Sequence, residues 1–535
     1  MHSEANAKGF KSRRQDSTVF IFWMMMAGHL LAYLSVCLVT QPNLPLDAVE
    51  MIFWGQQWQL GYHKHPPLPA WIAATVWNTG SGHSWLIYLV SQLTIVATFW
   101  AVWQFAREQL SPWAALCSVA VLEGCYYCSF LVNDINNTIV TRPFWALTVL
   151  FLYRAMVRKS PHVRNGYWVL TGIVIGLGMI SKYYMGVLVV AMLGLPLLVS
   201  ESRKHFKTIG PYITTLVATL IFLPHAIWMF ENEFATLQYV FQRSNETVNH
   251  SWTNHIASPI EFLLRQLPAV IPVLVLATPL LLNGQKRKVS SEAIAASDFF
   301  TRYLLVVFVG PILIYVLLGL FTGSQIRSMW GGPLFSFLGA VLFTLFALPS
   351  DQKKVQKIFR DSLCFGLVMV TALAARNVFG PTLRDKLSRV HFPGSELAQV
   401  VNAKWNQRYS YPLPAVGGRL FTAGCVGVYS KNHVDVFGSM SESASPWIDD
   451  QQMQQSGGVI VWEKGSDDGE LRESWLSRFE QVETLDVVRL SDQSFFDFDP
   501  VEFGIAVVHP TSVEFSSLKR QSHDRTAKSI VAPSR

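Results

Sequence analysis

Asp47 and Glu50 lie one helical turn apart in Leu46-Asp47-Ala48-Val49-Glu50, so a helix through them carries both carboxylates on one face. Lys64 and His65 follow in Gly61-Tyr62-His63-Lys64-His65-Pro66-Pro67, a basic turn stiffened by two prolines. Carboxylates and cations brought together suit one kind of chemistry. A carboxylate accepts the proton of an attacking hydroxyl, and cations neutralise a departing phosphate. Asp47 and Glu50 are therefore the candidate catalytic pair, with Lys64 and His65 as candidate phosphate ligands. Each also has a plainer reading. Acids complement a helix N-terminus, and interfacial cations contact lipid headgroups.

Further polar groups fall at comparable depth in the chain. Asn133-Asp134-Ile135-Asn136-Asn137 is densely polar, and Asp134, Asn136 and Asn137 could either hydrogen-bond a sugar or cap helix ends. Lys182 stands alone between two short apolar stretches, where a lysine is costly and usually faces a functional cavity. Its neighbour Tyr183 is a candidate sugar or acceptor contact. His225, in Pro224-His225 before Trp228, is another, although a lone histidine there is more often structural. Arg327, in a loop running from Gln325 to Pro333, is a further candidate for the phosphate. There is no Gly-rich phosphate loop, HExxH motif or serine elbow. No tight His, Asp and Glu cluster marks a metal site and no cofactor is evident, although Asp47 with Glu50 could hold a divalent ion.

The elements that must position these groups are membrane helices. The chain has 535 residues, 50% hydrophobic and only 15% charged, with a mean hydropathy of +0.28; soluble proteins average about 25% charged residues. Apolar stretches long enough to span a bilayer recur near 19–40, 84–106, 113–132, 139–157, 167–181, 184–200, 209–230, 262–283, 301–320, 328–348 and 360–377. This gives about 11 transmembrane helices. Basic residues gather at the N-terminus, at Arg107, between Arg154 and Arg164, between Arg203 and Lys207, at Lys286 to Lys288, and between Lys353 and Arg360. The alternate loops carry single cations: Lys64, Arg142, Lys182, Arg243 and Arg327. The asymmetry predicts a cytoplasmic N-terminus and puts the Asp47 stretch on the opposite side. It also accounts for the net charge of +7 without any nucleic-acid partner.

Residues 1–18 read as a cytoplasmic tail, 19–377 as the membrane domain, 378–516 as a small α/β domain on the far side, and 517–535 as a disordered tail. In the α/β domain, β-like runs at 420–429, 458–462, 482–490 and 503–508 flank a helical pattern near 471–479. Of the six cysteines, Cys125 and Cys128 have a redox-like spacing but read as packing residues inside a membrane helix.

An acid just after the first span, then Gly61-Tyr62-x-x-x-Pro66-Pro67-Leu68, then a Gly-x-x-Ser181-Lys182-Tyr183 turn together resemble glycosyltransferase family 39. This is the GT-C group of polyprenyl-phosphate-sugar transferases, which includes protein O-mannosyltransferases and lipid A aminoarabinose transferases. The resemblance covers roughly residues 20–345. It implies a GT-C fold with interfacial helices, Asp47 as catalytic base, and Lys182 on the lipid phosphate, with His65 where many members have a lysine before the prolines. Members usually carry adjacent Asp-Glu, whereas here the second acid of the loop is Glu50. The family's other acid falls on Asp134, with Asn136 or Asn137 as alternatives. Pro224-His225-x-x-Trp228 and Ser445-Pro446-Trp447-Ile448-Asp449 bring the chain nearest to the rhizobial lipid A and lipopolysaccharide core galacturonosyltransferases. The resemblance implies an inverting transferase in the inner membrane, with its site in the periplasm, using a polyprenyl-phosphate-linked sugar and a lipid A or core acceptor. A protein acceptor is the alternative within the family. A lipid-linked sugar transporter or flippase is the rival outside it, but such folds show internal repeats and midplane charges.

Overall fold

A computed structural model describes residues 2–245, 252–282, 291–346, 348–349, 351–465, 469–496, 498–512 and 515, so the expected tail at 517–535 lies outside the described residues. Two compact units result, Met1–Val390 and His391–Arg535.

Apolar runs form helices because a backbone in lipid must satisfy its own hydrogen bonds. The first unit runs through α1 (His2–Thr40), α2 (Leu46–Gly55), α3 (Leu68–Thr79), α4 (Ser84–Ala106), α5 (Pro112–Ala120), α6 (Tyr126–Ser129), α7 (Asn137–Val157), α8 (Pro161–Met179) and α9 (Met185–Leu193). It continues through α10 (Leu195–Leu198), α11 (Gly210–Glu231), α12 (Ala235–Asn245), α13 (Asn254–Leu264), α14 (Leu267–Leu276), α15 (Thr278–Leu281), α16 (Ser291–Thr322), α17 (Leu338–Leu345) and α18 (Gln352–Arg384). Among the described residues, seven segments are long and apolar enough to cross a membrane, or eight if the sharply bent Met185–Leu198 and Ser200–Lys207 count as one. The other expected stretches are helical but compromised as single spans. The third breaks into α5, a 3-10 turn and α6, α7 carries Arg142 and Arg154, and α8 opens on the polar run 161–166.

Aromatic stacking and small residues bind these helices. Phe22 of α1 stacks on Trp103 of α4 at 4.1 Å. A Cβ on Gly172 would come 2.7 Å from the Thr214 carbonyl, and one on Gly176 2.7 Å from Ile221 Cβ, so α8 and α11 touch through glycines. Among the buried polar pairs in this unit is His29 with Glu123. His29 Nδ1 of α1 lies 3.0 and 3.1 Å from the two carboxylate oxygens of Glu123. Tyr33, at 4.5 Å, and Phe99, at 5.7 Å, close around the imidazole.

α2 falls where the resemblance implies an interfacial helix, and protein covers it, with Ile52, Phe53 and Trp54 all buried. Gly55 permits this, since a Cβ there would sit 1.9 Å from the Ala70 carbonyl of α3. Only Trp58 and Leu60, just beyond α2, keep large apolar surfaces exposed.

The second unit contains α19 (Gly394–Arg408), β1 (Ala415–Gly418), α20 (Leu420–Tyr429), β2 (Asp435–Gly438), α21 (Asp450–Ser456), β3 (Gly458–Glu463), α22 (Gly469–Leu476), β4 (Val482–Thr484), β5 (Val488–Leu490) and β6 (Val501–Val508). The sheet order is β2-β1-β3-β6-β4 with β5 also on β6; β2, β1 and β3 are parallel and β6 is antiparallel to its neighbours. The α/β class is as expected. The run 420–429, however, is a helix and not a strand. Parallel strands need a crossover, and α20 supplies it between β1 and β2. Gly427 lets it close on the sheet, because a Cβ there would come 2.3 Å from Val436.

Candidate active site

Pro45 breaks the chain after α1 and starts α2, which puts Asp47 in its first turn and Glu50 one turn on. Asp47, Asp134 and Asn136 line one cavity of about 600 Å³ in the first unit. α4 fixes the loop that carries Asp134, with Ser91 Oγ bonding the Val132 and Asp134 carbonyls at 2.9 and 2.5 Å. Asn136 does two jobs. Its Oδ1 caps α7, accepting from the Thr138 and Ile139 amides at 3.0 and 3.1 Å, while its side chain also hydrogen-bonds Asp47 and Asp134.

Lys182 closes the cluster from the turn between α8 and α9. Its Nζ donates to Thr138 Oγ1 at 2.6 Å and lies 5.1 Å from the Tyr184 ring. Asn137 acts on this turn and not on the cavity, its amide donating to the Ser181 carbonyl at 2.9 Å. The Leu68 amide donates to the Ile180 carbonyl at 3.1 Å, tying the start of α3 to the same turn.

The carboxylates differ in their electrostatics. Burial pushes Asp134 well above the usual carboxylate range, and the nearby Asp47 charge pushes it further. Burial also raises Asp47, but Lys182, Lys64 and Arg389 oppose the rise. Asp134 is therefore the more strongly raised of the pair, while the neighbouring cations favour the charged form of Asp47. Burial lifts Glu50 to about 7 against the pull of Lys64, whose Nζ donates to Glu50 Oε1 at 2.5 Å. Burial lowers Lys182 to about 8, partly offset by Asp47. Burial, with the charges of Lys182 and Lys64, drives His65 well below its usual value, so its ring is neutral.

The remaining expected residues divide. Lys64 is engaged by Glu50 and faces the Trp54 and Tyr239 rings at 5.7 and 6.0 Å. The His65 ring packs edge-on against Trp54 at 6.3 Å, outside the cavity lining. Tyr183 turns away from the cavity. Its hydroxyl meets His225 Nε2 at 2.7 Å and Thr236 Oγ1 at 2.8 Å, while His225 Nδ1 donates to the Leu60 carbonyl at 2.7 Å. A carbonyl only accepts, so Nδ1 carries the proton and Nε2 accepts from Tyr183. Tyr183 and His225 thus pin the first loop to α11 and are not cavity contacts. Arg327 is not in the lining either; its Nη2 donates to the Arg243 carbonyl at 2.6 Å.

Sequence reasoning assigned to the site none of the five cations that line the cavity: Arg142, Arg376, Arg384, Lys386 and Arg389. Arg142 is 1% exposed, in the second turn of α7, and donates to the Tyr127 carbonyl. A lone arginine inside an apolar helix was the available signal. Ser445-Pro446-Trp447-Ile448-Asp449 is spent on local structure. Ser445 Oγ accepts from the Gly438 amide at 3.0 Å, and Asp449 caps α21. Among the described residues no group of three or more His, Cys, Asp or Glu side chains is arranged to hold a metal ion.

Residues 64–228 match the family described as dolichyl-phosphate-mannose-protein mannosyltransferase. The lipopolysaccharide core galacturonosyltransferase RgtB of Rhizobium johnstonii is 23% identical over 333 residues, covering 61% of this chain and 65% of its own length. RgtA of the same organism, also a core galacturonosyltransferase, is 24% identical over 72% of this chain and 77% of its own. The lipid A galacturonosyltransferase RgtD is 22% identical over 43% of this chain and 47% of its own. The crystal structure of ArnT from Cupriavidus metallidurans bound to undecaprenyl phosphate superposes with a TM-score of 0.62 at 12% identity, covering 91% of this chain and 97% of that one.

Proposed function

We propose that this chain, a relative of the GT-C polyprenyl-phosphate-sugar transferases and a bearer of their fold, is an inverting glycosyltransferase. It moves a sugar, with galacturonic acid the leading candidate, from a polyprenyl phosphate to the lipid A or core part of lipopolysaccharide. The observation that carries the reading is the meeting of Asp47 and Asp134 at one cavity, with Lys182 close behind Asp47 and bonded to Thr138 of the lining.

Asp47 takes the proton of an acceptor hydroxyl as its oxygen attacks the anomeric carbon. The bond between that carbon and the phosphate oxygen breaks, and the polyprenyl phosphate leaves with the electron pair, inverting the configuration. Lys182 neutralises the growing phosphate charge. The neutral His65 offers hydrogen bonds but no charge, and Lys64 reaches the same region from its Glu50 partner. Protonated Asp134 can donate a hydrogen bond to the sugar or acceptor, and Asn136 holds the two acids in register. We assign the chain to the inner membrane, N-terminus in the cytoplasm and site in the periplasm, from the distribution of basic residues.

The test is a mass spectrum of lipid A and core from matched cells with the intact gene, the deletion and Asp47→Asn. Loss of one sugar on deletion, unrestored by Asp47→Asn at normal protein level, supports the reading, and the missing mass names the sugar class. An unchanged glycolipid rejects that acceptor and turns attention to protein O-glycosylation. Full rescue by Asp47→Asn removes Asp47 as the base.

A further inference from the structure

We propose that Arg376, Arg384, Lys386 and Arg389 form a second anion subsite in the cavity, separate from the groups that hold the donor phosphate. The inference rests on the transferase reading and extends it to the substrate's charge.

The cavity lining holds five cationic side chains, these four and Arg142, against two carboxylates, Asp47 and Asp134. A sugar phosphodiester brings one negative charge, already met by Lys182. Burial and the Asp47 charge raise Asp134 well above the usual carboxylate range, which favours its uncharged form. Cations at a helix C-terminus often only complement its dipole. That explains Arg384, in the last turn of α18, whose Nε donates to the Gly380 carbonyl at 3.2 Å. It does not explain Arg376, two turns earlier, or Lys386 and Arg389, which lie beyond the left-handed stop at Asp385 (φ 46°).

These residues are held in place. Arg376 lies over the Phe130 ring at 5.0 Å. Gly380 leaves room for Arg384, since a Cβ there would come 2.9 Å from Nη2. Asn43 bonds the Arg389 and Val390 carbonyls at 2.9 Å each, setting this segment beside α2. Arg142 Nε in the same lining is buried without a hydrogen-bond partner, a donor that a ligand oxygen would satisfy. Guanidinium forks of this kind recognise carboxylate and phosphate oxygens in pairs. The second anion is then the carboxylate of a uronic sugar on the donor or an anionic group on the acceptor.

The experiment measures binding to the full chain in lipid nanodiscs, comparing wild type with Arg384→Gln, Arg389→Gln and the double variant. The probes are undecaprenyl phosphate, its galacturonate and galactose conjugates, and lipid A with and without its phosphates. We expect undecaprenyl phosphate to bind all proteins alike, which also shows that the variants fold. A loss of about 10- to 100-fold, confined to the galacturonate conjugate, assigns the subsite to the donor sugar. The same loss confined to phosphorylated lipid A assigns it to the acceptor. Arg384→Lys retaining most of the affinity would mark charge as the cause. Equal loss of undecaprenyl phosphate itself would make these residues the phosphate cradle and overturn the proposal, as would no loss for any probe. Failure of the transferase reading shows elsewhere, in the glycolipid of Asp47→Asn cells, and leaves these affinities readable.

Discussion

Glu123 and Asp47 are both carboxylates buried beside a nitrogen base in the membrane unit, and the two places are built to opposite ends. Glu123 has both oxygens near His29 Nδ1, with Tyr33 and Phe99 closing over the ring. α18 is close as well, since a Cβ on Gly366 would sit 3.2 Å from Glu123 Oε2. Asp47 has comparable partners in Lys182 and Asn136, but one side faces a cavity of about 600 Å³. Burial of charge therefore does not by itself mark a reactive site. Access decides. The closed pair holds α1 to the core, whereas the open pair can exchange its proton with a bound hydroxyl.

Variants can set the two pairs apart. Asp47→Asn should cut transfer by about 10²- to 10⁴-fold, the usual reach of a positioned base, with an unchanged melting temperature; loss of folding instead would make Asp47 structural. Lys182, lowered to about 8, should give kcat/KM an alkaline limb as the free enzyme loses that proton. Lys182→Arg stays charged and should remove the limb; a limb that persists would place it on another group. Glu123→Gln should do the reverse of Asp47→Asn, costing about 1–3 kcal/mol of stability with kcat/KM within a few-fold, as read from thermal unfolding beside kinetics. Glu50 is raised from 4.5 to about 7, so the folded chain binds the proton more tightly than the unfolded one. Its contribution to stability is full below about 4.5 and is lost as pH rises to about 7, and Glu50→Gln should flatten the melting temperature across that window. The smallest effect belongs to Tyr183→Phe, about 1 kcal/mol of stability and little change in catalysis. A large fall in kcat would return Tyr183 to the substrate.

The sequence conveyed residue types and depth better than direction. Asp47 and Lys182 could be singled out because an acid beside the first span and a lysine between short apolar stretches are both costly, and the structure sets the two side by side. Tyr183, adjacent to Lys182, looked equally chemical, but the turn sends one side chain to Thr138 and the other to His225. Asn136 and Asn137 could be recognised as polar, yet nothing local says that one caps α7 and the other holds the Ser181 carbonyl. Arg384, Lys386 and Arg389 were hidden by the expected end of the membrane domain at 377, because a cation past a span reads as a solvated charge, and Arg376 sits at the very end of the expected span. In the second unit the segment 420–429 is apolar enough for either helix or strand, and only the parallel pairing of β1 with β2 decides for helix.

The bonds from Leu68 to Ile180 and from Asn137 to Ser181 bear on how the enzyme is made. Asp47 leaves the ribosome long before Lys182, and the acid cluster has no cationic partner from that turn until α8 has entered the membrane. On the proposed mechanism, a chain ending before residue 180 lacks Lys182 beside Asp47 and should be inactive.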